Sequence, residues 1–479
     1  MLVKNHHRIF FSFLLCFALV VSSFAQQKKA VYVSYNEAQT VLEAFSQSLP
    51  AELNTQDPKQ RPTVWTEWVK KSDQDIRARL AQGDEDSLVN LLLFGTTFTK
   101  QARVTPRQIE EINKQTGSPA LAGERINEIM LGRLNDFISV LSKPSKVERI
   151  SFAQEFLSAR NSFRLNTPEG QQQAKELLVR ALARVLQESE SYTRIIQQAR
   201  LLSDTSAAFA ERSKLYRNRG LSSDTSLRPN FAIEEALKGL QAKGLIKAGV
   251  RRVAIVGPGL DFTDKQDGYD FYPQQTIQPF AVIDSLLRLG LAKSTDLQIT
   301  TLDLSPKVND HIVRARASGL RGQPYVLQLP FDVQEEWKPE FVKYWEKFGD
   351  QIGSAAKPVS IPANLTDLKL RAVNVRSIFA SKLTPFDVNI VLQKLELAET
   401  EKFDLIIGTN IFVYYDEFQQ GLAMLNMEKM LRGGGILLSN NALIELPAGK
   451  IKSVGHTTTV YSNKPDDGDI IVWYQRQAN

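Results

Sequence analysis

Two neighbouring segments of the chain read Phe403-Asp-Leu-Ile-Ile-Gly-Thr-Asn-Ile-Phe-Val-Tyr-Tyr-Asp416 and Leu431-Arg-Gly-Gly-Gly-Ile-Leu-Leu-Ser-Asn440. The first begins with a short apolar run that ends at Gly408, which is typical of a buried strand. Residues 418–431 between them have helical spacing, and the triple glycine gives a tight entry into a second apolar run. The order strand, helix, strand predicts one right-handed crossover of an α/β sheet.

Further strands and helices alternate on both sides of this unit. The pattern predicts strands over 253–256, 297–302 and 370–375, a less regular element over 386–395, and helices over 276–289 and 308–318. Residues 452–461 and 469–475 are rich in β-formers and are separated by a Pro-Asp-Asp-Gly turn, which predicts a closing hairpin.

The two quoted segments resemble the fourth and fifth strands of class I S-adenosylmethionine-dependent methyltransferases, where an "FDLI…N…Y" strand end precedes an "LRPGGxL" turn. The nearest resemblance is to the chemotaxis-receptor methyltransferases, and it covers roughly residues 248–478. It implies a Rossmann-like methyltransferase sheet, mainly parallel with a C-terminal antiparallel hairpin, and S-adenosylmethionine as the cofactor.

The resemblance implies a cofactor site at the ends of the first, second and fourth strands. Gly257 and Gly259 follow the first strand and would let the ligand approach the backbone. Asp303 would hold the ribose hydroxyls, although a helix N-cap is its structural alternative. Ile255 and Asp261 stand where the family has an acidic residue and a third glycine, and 44 residues separate Gly259 from Asp303, against roughly 20 in a plain dinucleotide unit.

The excess length forms an inserted loop, residues 260–273, in which aspartates recur every third residue among aromatic residues. Asp261 is the predicted contact for the polar end of the cofactor. Three interpretations of the loop stay open: carboxylates that hold the cofactor or a cationic substrate, a calcium site of unusual order, or a lid with structural aromatic residues.

At the end of the fourth strand, Asn410 and Tyr414 are the predicted reaction-centre residues, and Asn410 could also orient the cofactor. Catalysis would consist mainly of positioning, since the sulfonium already activates the methyl group. Packing under the sheet edge is the alternative for Tyr414 and Tyr415. His456 is a weaker candidate base, and His311 is expected to be structural or exposed.

Residues 1–25 have a basic head, an apolar run and a Ser23-Phe24-Ala25 cleavage pattern, which predict a secretory signal cleaved after Ala25. An uncleaved inner-membrane anchor is the alternative. The one cysteine, Cys16, lies in this segment, so the mature chain would have no disulfide, thiolate metal site or cysteine nucleophile. Loss of Lys4 and Arg8 lowers the formal net charge from +6 to +4, and no basic run indicates nucleic acid as a partner.

Residues 26–230 have helical patterning, so an all-helical domain is predicted to precede a methyltransferase domain over 231–479, with a linker near 221–230.

Two functions follow from these observations. The first is a secreted or periplasmic S-adenosylmethionine-dependent methyltransferase acting on an O or N nucleophile of an envelope protein or small molecule. The second is a catalytically inactive binding or scaffold protein of the cell envelope on the same fold, since fold does not fix function. A third hypothesis is that the inserted loop and the carboxyl edge of the sheet bind another nucleoside or a sugar-like envelope component.

Overall fold

The computed structural model describes residues 29–54, 57, 59–200, 219–262, 268–464 and 467–478. The predicted signal peptide lies outside these residues. The N-terminal half begins with a short strand that the sequence did not predict and continues as helices. Its elements are β1 (Ala30–Tyr32), α1 (Tyr35–Ala44), α2 (Arg61–Phe94), α3 (Pro106–Thr116), α4 (Pro119–Leu141), α5 (Glu148–Glu155), which runs into a π-helical turn (Phe156–Arg160), and α6 (Pro168–Arg200).

The C-terminal half alternates strands and helices as the sequence predicts. Its elements are α7 (Arg228–Ala242), β2 (Arg252–Val256), α8 (Gln278–Arg288), β3 (Gln298–Asp303), α9 (Pro306–Leu320), β4 (Tyr325–Asp332), α10 (Pro339–Lys347), β5 (Gly353–Ala356), β6 (Leu368–Val375), α11 (Ser377–Ser381), β7 (Leu383–Asp387), β8 (Gln393–Leu395), β9 (Phe403–Gly408), α12 (Glu417–Met430), β10 (Leu431–Ser439), β11 (Ile451–Val460) and β12 (Gly468–Arg476).

Seven strands form the main sheet in the order β11-β12-β10-β9-β2-β3-β7. The pairs β10–β9, β9–β2, β2–β3 and β3–β7 are parallel, whereas β12 runs antiparallel to both β10 and β11. A parallel sheet whose last strand returns through an antiparallel hairpin confirms the predicted fold class. The apolar runs of the central strands reflect burial on both faces of this sheet.

Alternate residues of β2 show the two faces. Val253 and Ile255 pack in one core with α7, α8 and α9. Ala254 and Val256 pack in a second core, which also contains Trp65 and other residues from the first half of α2. Trp65 and Trp68 of α2 are therefore core residues.

The remaining helices form their own core beside the sheet. Leu88, Leu91 and Leu92 of the second half of α2 pack there with residues of α4, α5 and α6. The helix α2 therefore contributes to both the sheet core and the helical core. In addition, β1 pairs antiparallel with β8, so the N-terminal segment is joined to the C-terminal half by backbone hydrogen bonds.

Between β3 and β7 the chain inserts a three-stranded antiparallel sheet in the order β4-β6-β5. The predicted strand near 370–375 belongs to this small sheet and not to the main one. The less regular element predicted over 386–395 divides into the end of β7 and the separate strand β8. None of the helices within the described ranges is long and apolar enough to cross a bilayer.

Candidate functional site

The glycine turn after β2 lies at the carboxyl edge of the sheet. Gly257 and Gly259 both have left-handed backbones, with φ of 63° and 65°, which favours glycine at each position. A Cβ on Gly257 would lie 2.1 Å from Cδ1 of Ile411, and one on Gly259 would lie 2.7 Å from the carbonyl oxygen of Ser223. Atoms of the protein itself therefore fill the space beside both glycines.

Residues 219–227 lie across this turn, within and just before the predicted linker; we call them the crossing segment. Leu260 donates its N–H to the carbonyl of Ser223 at 2.8 Å, and Thr225 donates its N–H to the carbonyl of Leu260 at 3.1 Å. On the other side, Leu221 donates its N–H to the carbonyl of Arg79 in α2 at 3.1 Å. The crossing segment is thus held between α2 and the glycine turn.

The helix α2 also contacts the ends of the strands directly. Its residue Arg77 forms an ion pair of 2.8 Å with Asp387 at the end of β7. One turn before, Asp73 accepts a hydrogen bond of 2.8 Å from the side-chain amide of the buried Asn389. Asp84 pairs with Lys307 near the start of α9, at 3.2 Å. These contacts cover the part of the sheet edge to which Asp303 belongs.

Asp303 ends β3 and is only 9% exposed. Its Oδ1 accepts the Ser305 N–H at 2.8 Å. Burial raises the pKa of Asp303 to about 7, and the charge of Asp387 adds to the rise, while hydrogen bonds from the backbone of Ser305 and Gly259 and the charge of Lys307 oppose it. The carboxyl group therefore accepts a hydrogen bond from the local backbone, but the N-cap of α9 is Ser305 and not Asp303.

An adenosyl group at this edge would need the space beside the two glycines. The structure brings Gly257, Gly259 and Asp303 together at the carboxyl edge, as predicted. However, the side chain of Ile411 and the backbone of the crossing segment stand where a ligand would meet the glycines. Binding at this edge would require these groups to move.

Asn410 and Tyr414 lie beside this edge, in the turn after β9. Asn410 has a left-handed φ of 60°, and its N–H donates to Oδ1 of Asn440 at the end of β10, at 2.8 Å. Tyr414 is half-buried, and its carbonyl accepts a hydrogen bond of 3.0 Å from Arg79. Tyr415 is buried, and burial raises its pKa well above the usual range. Tyr415 is therefore packed in the core under the sheet edge, which is the alternative that the sequence analysis gave for it.

Asp261 lies two residues after Gly259, but its carboxylate has its hydrogen-bond partners near the other end of the inserted loop. It is 3% exposed and accepts hydrogen bonds from the Tyr272 hydroxyl at 2.8 Å and from the Gln275 amide at 2.9 Å. Its predicted role at the polar end of the cofactor stays a prediction.

Contacts of Asp270 and Arg149 attach the inserted loop to the helical half. Asp270 accepts hydrogen bonds from the backbone and hydroxyl groups of both Thr96 and Thr97. Arg149 is fully buried and donates to the carbonyls of Asp261, Phe262 and Tyr272. These partners are more than 100 residues away in sequence, so no local pattern signals them. Asp264 and Asp267 lie outside the described residues.

The two histidines within the described residues, His311 and His456, occupy different environments. His456 is exposed on β11, an edge strand of the main sheet. The ring of His311 lies 2.8 Å from the hydroxyl of Tyr325. Burial lowers the pKa of His311 to about 4, and the nearby charges of Arg314 and Arg149 add to the effect. His311 is therefore a structural residue, as expected.

A cleft of about 1220 Å³ lies between α3, the inserted sheet and the β11–β12 turn. Asp261 lies in its wall, whereas Gly257, Gly259, Asp303, Asn410 and Tyr414 do not. The structure thus separates the predicted site residues into a closed sheet edge and an open cleft. In the described ranges, no group of three or more histidine, cysteine, aspartate or glutamate side chains is arranged to hold a metal ion.

Solved methyltransferase structures are similar to this chain at low sequence identity. No family model matches the chain, and no curated protein matches it. The chain is similar to the glycopeptide N-methyltransferase MtfA complexed with sinefungin (10% identity, 53% of this chain and 96% of that one, TM-score 0.24) and to an S-adenosylmethionine-dependent methyltransferase from Clostridium acetobutylicum (9% identity, 53% and 93%, TM-score 0.24). It is also similar to the CurJ carbon methyltransferase (12% identity, 91% and 98%, TM-score 0.24).

The fold of the C-terminal half is assigned from the order of its strands and from their directions. The C-terminal half of this chain has a Rossmann-like, methyltransferase-type sheet.

Proposed function

We propose that this chain is an exported binding protein on a methyltransferase-like fold, and that it does not transfer methyl groups. The observation that carries the proposal is the closed glycine turn. The backbone of the crossing segment bonds to Leu260 on one side and to Arg79 on the other, so a ligand would have to break paired backbone groups to enter. Export, which rests on the signal pattern of residues 1–25, also separates the protein from the cytoplasmic supply of S-adenosylmethionine.

The state of Asp303 supports the same proposal. A ribose-binding carboxylate must present lone pairs to the ligand, whereas the Asp303 carboxyl is buried, accepts backbone N–H groups and has a raised pKa. Its neighbours Asp84 and Lys307 are paired with each other across the edge.

Methyl transfer is the second candidate function, and one observation favours it. Asp303 and the Asn410–Asn440 pair stand at the carboxyl ends of three strands of a methyltransferase-like sheet, where open α/β sheets bind ligands. S-adenosylmethionine is the cofactor in this case, and access to it would require movement of Ile411 and the crossing segment.

Calorimetric titration of residues 26–479 with S-adenosylmethionine and S-adenosylhomocysteine separates the two candidates. The binding proposal predicts no saturable heat for the wild type. It also predicts that Ile411→Ala, which removes the atoms beside Gly257, gains at most weak binding. Saturable binding by the wild type that is lost in Asp303→Ala would overturn the proposal and support the enzyme.

A further inference from the structure

The cleft between α3 and the inserted sheet has an aromatic surface that is held in place. Trp337 and Phe331 are half-buried in its wall, with ring centroids 5.7 Å apart. The indole N–H of Trp337 donates to the carbonyl of Asp332 at 2.7 Å, and Phe331 packs on Trp345 at 4.7 Å. Both rings are therefore oriented before any ligand arrives, which lowers the entropic cost of binding.

The charges around these rings are largely paired with one another. Arg107 of α3 pairs with Asp332 at 2.9 Å, and Arg228 pairs with Asp467 at 2.6 Å. Lys464 pairs with Glu335. Among the lining residues, six are basic and seven are acidic, so the cleft has almost no net charge.

This arrangement disfavours a charged ligand. A phosphate or carboxylate group would have to displace an existing partner, and the displaced charge would be left without compensation. The paired groups still have lone pairs and N–H groups to offer, because a guanidinium has five donors and a carboxylate accepts several bonds. The amide side chains of Gln108, Asn364 and Asn463 line the same cleft and supply both donors and acceptors.

The size of the cleft indicates a ligand of several rings. Pockets for drug-sized molecules have volumes of about 300–1,000 Å³, and this cleft, at about 1220 Å³, is larger. A molecule that matches its walls has apolar faces for the aromatic rings and many hydroxyl groups for the paired charges and amides. Sugar rings have both.

We propose that this cleft binds a neutral oligosaccharide, with Trp337 and Phe331 as the stacking surface and the paired charged and amide side chains as partners of its hydroxyl groups. The proposal deepens the binding role proposed above and rests on it. Its residues are separate from Gly257, Gly259 and Asp303, so its test is independent of the adenosyl titration.

The test is titration of residues 26–479 with cellohexaose, maltohexaose and chitohexaose, followed by calorimetry and tryptophan fluorescence. At least one of the three is expected to bind saturably. Because the ligand is neutral, its Kd should change less than about twofold when the salt rises from about 50 to about 500 mM. A heparin hexasaccharide serves as the charged comparison and is expected to bind more weakly.

Two variants locate the binding in the cleft. Trp337→Ala is expected to raise the Kd about tenfold or more, with Trp337→Phe recovering part of the loss. Thr366→Trp places a bulky ring on an exposed rim position and should abolish binding without touching the core. The matched control is Val313→Trp, at a 51% exposed position on α9 outside the cleft, which should bind as the wild type does.

Three results would overturn the proposal: no binding of any of the three neutral hexasaccharides, binding unaffected by Thr366→Trp, or a preference for the heparin fragment with steep salt dependence. Absence of oligosaccharide binding together with absence of adenosyl binding would reject only the ligand class. Adenosyl binding by the wild type that is lost in Asp303→Ala would reject the proposed function, whether or not an oligosaccharide binds.

Discussion

At the scale of single residues, Asp303 makes the stability of the protein depend on pH in an unusual direction. Its folded-state pKa is raised from 3.8 to about 7 by burial, so between these pH values the folded state keeps a proton that the unfolded state has lost. The contribution of Asp303 to the free energy of unfolding is therefore largest at low pH and falls as pH rises to about 7.

The variant Asp303→Asn keeps the oxygen that accepts the Ser305 N–H but has no proton to lose. We expect it to be more stable than the wild type at about pH 8, by roughly 2–4 kcal/mol, and to show a much smaller advantage at about pH 4. Urea unfolding at both pH values measures this difference. An equal effect of the substitution at the two pH values would contradict the assigned pKa.

The sequence predicted the position of Asp303 but not its state. An acidic residue after an apolar run marks the end of a strand, and β3 ends at Asp303. The carboxyl edge around Asp303 is covered by α2, which pairs with Asp387 and Lys307 and lies more than 200 residues before Asp303 along the chain. Local patterns contain no information about such contacts.

At the scale of elements, the sequence was most informative where a strand is buried on both faces. The apolar runs of β2, β3, β9 and β10 marked the central sheet. The inserted sheet was mostly missed, because Pro330 interrupts β4 and the Gly-Ser-Ala-Ala sequence of β5 has little strand preference. Since β4 is an edge strand, a proline is tolerated there.

The helix α2 shows how tertiary packing overrides a local signal. The apolar pattern of the sequence favours two separate helices, over 63–80 and 86–94, whereas the structure has one helix from Arg61 to Phe94. Gly83 lies within it, and a Cβ there would lie 2.0 Å from the carbonyl oxygen of Leu221. The glycine lets the crossing segment approach the helix backbone closely.

Gly83→Ala tests the closeness of this contact. In a free helix the change would stabilise by about 1 kcal/mol, but here we expect a loss of about 1–3 kcal/mol because the crossing segment must move. Thermal unfolding measures the effect. The matched control is Gly123→Ala in α4, where a Cβ would meet nothing within 4 Å. A gain of stability in both variants would contradict the contact.

At the scale of the whole molecule, the helical half and the sheet are joined by buried polar groups as well as by α2. Arg149 of α5 donates to three buried carbonyls of the inserted loop. Arg133 of α4 is equally buried, but its partners are the carbonyls of Leu92, Gly95, Gln101 and Ala102, all in the helical half. The two arginines therefore have similar bonds in different places.

This contrast gives a matched pair of variants. Arg149→Met and Arg133→Met each leave several buried carbonyls unpaired, and each is expected to lower the free energy of unfolding by about 3–5 kcal/mol. Hydrogen–deuterium exchange followed by mass spectrometry should separate them. Arg149→Met should speed exchange in peptides that cover 260–262 and 268–275, whereas Arg133→Met should speed it over 92–102 and leave exchange over 268–275 as in the wild type. If both variants loosened the same peptides, Arg149 would not be the specific link between the two halves.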